Sequence, residues 1–144
     1  MASYVKINDW VNNEGEVADL DNDTFIVALT NTAPASEGTP PTGDGAGIIA
    51  NITQISYTNC SSRTLSLASS AQTGGTYTID FTDLTLTASG GNVGPFRYVY
   101  IYDDTPTSPA DPLVCYFDYG SSITLASGET LLIQFNASGL YTKT

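Results

Sequence analysis

The chain has 144 residues, which suits one compact domain with its own core and leaves little room for two. With 15 acidic residues against Lys6, Arg63, Arg97 and Lys143, the formal charge of -11 repels a phosphate backbone and argues against nucleic-acid binding. No stretch reaches the roughly 20 apolar residues that span a bilayer, and Met1-Ala2-Ser3-Tyr4-Val5-Lys6 lacks the apolar run of a secretory signal, so the expectation is a soluble chain not exported by that route.

Residues 1–22 read as an N-terminal arm. Tyr4, Ile7, Trp10 and Val11 stand at helical spacing, which fits a short amphipathic helix; an extended arm that docks Trp10 elsewhere fits equally. Residues 23–144 read as a β core rich in Thr, Ser, Gly and Asn, the composition of strands and turns. Phe25, Val27 and Leu29 alternate with Ile26 and Ala28, a strand with both faces buried. Residues 33–47 (APASEGTPPTGDGAG) are too rich in Pro and Gly for a strand and too long for an ordinary connection, which predicts a loop that is mobile or ordered by a partner.

Thr64-Leu65-Ser66-Leu67 alternates next, and Thr76-Tyr77-Thr78-Ile79-Asp80-Phe81 separates into an apolar and a polar face. Leu84, Leu86 and Ala88 follow, with Thr82-Asp83 as a tight hairpin turn. After Ser89-Gly90-Gly91-Asn92-Val93-Gly94-Pro95 the alternation resumes from Phe96 to Tyr102. The prolines of Thr105–Pro112 then end that strand. Leu113 to Tyr119, Ile123 to Leu125 and Thr130 to Phe135 complete the series, divided by Gly120-Ser121-Ser122 and Ser127-Gly128-Glu129. About eight or nine short antiparallel strands predict a single-domain all-β fold, β-sandwich or jelly-roll-like.

Chemistry is sparse. The chain has no histidine, which removes the commonest general base and transition-metal ligand. Cys60 and Cys115 have neither an activating His nor CxxC spacing, and without an export signal they are read as reduced, buried thiols rather than a disulfide. Asp80 with Asp83, or Asp103 with Asp104, are the nearest approach to a glycosidase carboxylate pair, yet each borders a turn, where Asp is a routine turn former. Asp19, Asp21 and Asp23 offer alternate carboxylates for calcium, but Thr24 and Thr30 stand where an EF-hand loop needs Gly and Glu, which leaves only a weak, irregular candidate. The expectation is a protein that is no enzyme and needs no cofactor. The strand Phe96–Tyr102 is the most distinctive feature: Phe96, Tyr98, Tyr100 and Tyr102 share one face. That ladder either points outward as a binding surface or packs between covered faces.

Several runs in order resemble a family of small tailed-bacteriophage virion proteins: residues 23–34 (DTFIVALTNTAP), 50–55 (ANITQI), 70–77 (SAQTGGTY), 118–125 (DYGSSITL), 128–130 and above all 87–98 (TASGGNVGPFRY). The 33–47 insertion and the less helical N-terminus depart from that pattern. The resemblance implies a particle component, chiefly a decoration (cement) protein on the capsid exterior, assembled in the host cytoplasm, with the major capsid protein as partner and a homo-oligomer, trimer favoured. For such a role, an ordering terminal arm with buried aromatic anchors points to Tyr4, Ile7 and Trp10 as capsid contacts, and the 90–95 loop or the aromatic strand, with Phe96, Tyr98, Tyr100 and Tyr102, to an oligomer or partner surface. A tail or fibre-associated glycan-binding adhesin and a tail-tube, terminator or head-completion ring protein are the alternatives.

Overall fold

The computed structural model describes residues 2–144 and is all-β, with nine strands and one short helix. In chain order these are β1 (Ser3–Lys6), α1 (Trp10–Glu16), β2 (Phe25–Thr30), β3 (Leu67–Thr73), β4 (Thr76–Phe81), β5 (Leu84–Thr87), β6 (Val93–Asp103), β7 (Leu113–Leu125), β8 (Thr130–Ile133) and β9 (Tyr141–Lys143). They form a four-stranded antiparallel sheet in the order β1-β7-β6-β2, a three-stranded sheet β3-β4-β9 and a β5-β8 ribbon.

The N-terminal segment is part of this body. Ser3–Lys6 pairs with β7 from Asp118 to Cys115, and Ile7 N donates to Val114 O at 3.1 Å. Trp10 begins α1 and is buried against Phe25, with ring centroids 6.3 Å apart. Each alternative holds for part of the segment: Tyr4 lies in an extended strand and Ile7 outside the helix, which begins only at Trp10, so the spacing of Tyr4 and Ile7 is not that of a helix face, and strand pairing and the burial of Trp10 fix the segment to the core.

β2 carries apolar side chains on both faces because both faces are covered. Phe25, Val27 and Leu29 stand opposite Asp103, Ile101 and Val99; Ile26, Ala28 and Thr30 stand opposite Tyr102, Tyr100 and Tyr98. The first face meets the smaller sheets through a run of aromatics: Phe25 to Phe81 at 5.3 Å and Phe81 to Phe135 at 5.8 Å. Edge and tilted packing suits the ring quadrupoles. This run joins β2, β4 and the segment just after β8 into one sandwich-like core.

The second face, lined by tyrosines, lies against the excursion between β2 and β3. Tyr57 accepts from Leu29 N at 2.8 Å, Arg63 lies over the Tyr57 ring at 3.6 Å, and Glu37 and Arg63 bear on the Tyr100 and Tyr102 hydroxyls. Residues 33–47 are therefore ordered by the chain itself, contrary to both alternatives expected for them. The Asp9 carboxylate accepts from Gly45 N at 2.9 Å and Gly47 N at 2.8 Å, and buried Glu37 accepts from Thr53 N and its hydroxyl, both at 2.8 Å. These charge-assisted bonds supply partners that a Pro- and Gly-rich loop cannot find in a ladder.

Two expected turns differ. Thr82-Asp83 does not close a hairpin, because β4 pairs with β3 and β9 whereas β5 pairs with β8; the dipeptide carries the chain between sheets. Gly120-Ser121-Ser122 does not divide two strands but lies within β7, Gly120 taking a positive φ of 81° while the ladder to β6 shifts register. The β3-β4 hairpin instead turns at Gly74-Gly75, both at positive φ, as a two-residue turn of the primed type requires.

Candidate functional site

The tyrosine ladder shares a face, as its alternation predicts, but that face is inward. Phe96 and Tyr100 are fully buried, and Tyr98 and Tyr102 are only 7% and 8% exposed. Tyr98 and Tyr100 pack on Tyr116 at 6.2 and 5.2 Å. Burial pushes the Tyr100 hydroxyl well above the usual tyrosine range, helped by Tyr116 and Glu37. The four aromatics are core residues and give no stacking platform to a partner or sugar, which corrects their assignment as an oligomer or partner surface. Val99 and Ile101 are also fully buried, so the strand has no solvent face to spare.

Of the three expected capsid contacts, Ile7 is fully buried and Trp10 is 3% exposed. Trp10 Nε1 donates to the Tyr141 hydroxyl at 3.1 Å, which in turn donates to Glu14 at 3.0 Å; Glu14 also pairs with Lys143. Trp10 thus ties β9 and α1 to the core, Ile7 is bonded to β7, and of the three only Tyr4 is accessible. Tyr4 is 41% exposed and meets Phe117 edge-on at 5.6 Å.

Tyr4 opens onto an open groove of about 720 Å³. Phe117 and Tyr119 from β7, Leu132 from β8, and Phe135 and Leu140 beyond it complete its apolar lining. The register explains the arrangement: Tyr4 stands opposite Phe117 and Phe117 opposite Val99, so one row of side chains runs from the buried centre out to the edge strand β1. Leu132 is 51% exposed at the other wall. Among the described residues no strand pairs with the outer edge of β1, so apolar side chains lie beside unpaired backbone donors and acceptors. The row Tyr4–Phe117 was not readable from spacing, since it depends on β1 pairing with β7 across more than 100 residues.

The acidic turn ahead of β2 is spent on local structure. Asp19 Oδ1 and Oδ2 accept from Asp21 N and Asn22 Nδ2, and Asp23 Oδ2 accepts from Asp19 N at 2.8 Å, which closes the turn on itself. Among the described residues no group of three or more acidic or thiol side chains is placed to hold a metal ion. Asp83 accepts from Phe135 N at 2.8 Å and Asp103 lies fully buried. Cys115 is a buried free thiol in β7, raised by burial well above the ordinary thiol range; Cys60 is a half-buried free thiol.

Comparison with protein-family models, curated proteins and solved structures finds no match for this chain.

Proposed function

We propose that this protein is a capsid decoration protein of a tailed phage, a non-catalytic unit that docks on the outside of the head and braces neighbouring major capsid subunits, acting as a trimer. The observation that carries the adhesive part is the groove: exposed Tyr4 and Leu132 flank Phe117 beside the unpaired edge of β1, on an otherwise acidic body. Strand addition to such an edge supplies main-chain hydrogen bonds, and the groove supplies pockets for alternate side chains. The particle part rests on the resemblance of residues 87–98 and the other runs to small phage virion proteins. The aromatic strand that would serve a glycan adhesin as a stacking platform is buried.

Copy number tests the reading. Densitometry of purified virions against the major capsid protein is expected to give near-stoichiometric occupancy; a handful of copies per particle refutes decoration and favours a tail or connector ring. Tyr4→Ala combined with Leu132→Asp is expected to abolish binding to heads that lack the protein. Both side chains are substantially exposed, so the melting temperature should barely move.

A further inference from the structure

Asp103 closes β6 opposite Phe25 with its side chain wholly inside the protein. Its Oδ1 accepts from Thr105 N at 3.2 Å, while its Oδ2 is buried without a hydrogen-bond partner. The carboxyl it faces is Asp23, from the acidic turn ahead of β2. Two bonds stitch these segments together beside the pair: Thr24 N donates to the Thr105 hydroxyl at 2.9 Å, and Asp104 N donates to Thr24 O at 2.8 Å.

The charges around the pair are all negative. Asp104 follows Asp103 directly, Asp19 is bound to Asp23 through its own N–H, and Asp111 lies on the loop returning to β7, its carboxyl raised by burial and by Asp104. The cation of the segment alongside β2, Arg63, is turned away, donating to Val27 O and covering Tyr57. Two carboxylates in contact in a poorly solvated site cannot both ionise, and a proton kept on Asp103 lets its otherwise orphaned Oδ2 donate a hydrogen bond to Asp23.

We propose that Asp23 and Asp103 share one proton, and that this acid–carboxylate hydrogen bond is a pH-sensitive latch holding the Asp19–Thr24 turn to the loop after β6. Burial first, then Asp23, pushes the Asp103 carboxyl up to about 8. The closed latch therefore binds one proton more than the open form between the ordinary carboxylate value, near 3.8, and about 8. Its stabilisation is complete below that window and is lost as pH rises through it. Above about 8 the proton has left to solvent, both groups are anionic, and the turn and loop part.

The test is a carboxyl-carbon NMR titration of the intact protein with amide exchange at Thr24 and Asp104, corrected for intrinsic rate. Asp103 should titrate far above an ordinary Asp, and protection at both amides should fall by up to about tenfold per pH unit within the window. In Asp103→Asn, Oδ1 still accepts from Thr105 N and the new Nδ2 donates to Asp23 without a shared proton, so the profile should be flat. Asp103 titrating in the ordinary range, or wild-type protection indifferent to pH, overturns the latch. The wild-type titration decides even if the variant does not fold.

Discussion

If the aromatic run through the centre joins all three sheets, truncating its middle member should unfold the molecule as a unit. Phe81 is 3% exposed and lies between Phe25 at 5.3 Å and Phe135 at 5.8 Å. Phe81→Ala deletes the ring, removes two aromatic contacts and leaves a cavity that β4 and β2 cannot close without breaking ladder bonds, at a cost of about 3–5 kcal/mol. Against a total of roughly 5–15 kcal/mol that is a large fraction, and it should lower Tm by about 10–20 °C. Urea unfolding followed in parallel by far-UV circular dichroism and by fluorescence of Trp10, the only tryptophan, reads the result. Trp10 packs on Phe25, which packs on Phe81. One coincident transition at lower urea with an unchanged slope is expected. A Trp10 transition that stays in place while part of the dichroism is lost would refute the shared core and make β3-β4-β9 an independent lobe.

Asp9→Ala removes a carboxylate that accepts from two backbone N–H groups of the long excursion; a loss of about 1–3 kcal/mol is expected, with new protease cleavage confined to residues 33–47. Gly94→Ala sets a Cβ 2.7 Å from Ile123 O at a φ of +120°, so it should destabilise by several kcal/mol, roughly as a strained core substitution does, and give little folded protein on expression.

What the sequence reveals and what it hides divide along the range of the interactions. Strands such as Phe25–Leu29 and Thr76–Phe81 announce themselves because period-2 alternation is local, whereas β7 runs on through Gly120 where a turn is expected, and β1 and β9 are too short to show a pattern. Strand partners are another matter. Thr82-Asp83 has the length of a hairpin turn, yet β4 and β5 go to different sheets, with Phe81 at the end of β4 packed on Phe25 of β2. The tyrosine ladder shows the same division: alternation put Tyr98, Tyr100 and Tyr102 together, but which way they faced depended on residues 33–66 folding back over them. That excursion looked partner-dependent because its anchors, Asp9 and Glu37, are single carboxylates whose targets are N–H groups.

The proposed adhesive surface follows from what the core leaves over. A protein that spends Ile7, Trp10 and its whole tyrosine strand on its interior has few large side chains left to offer a partner. Large exposed apolar groups are Tyr4, Val11, Leu67 and Leu132, and two of the four converge on one groove. Convergence matters because isolated apolar side chains are ordinary surface, whereas a pair flanking a concave, partly apolar wall excludes water when covered and so concentrates binding energy. With unpaired β1 alongside, any extended segment seated there gains ladder hydrogen bonds as well, which is why perturbing Tyr4 and Leu132 should cost binding far more than it costs the fold.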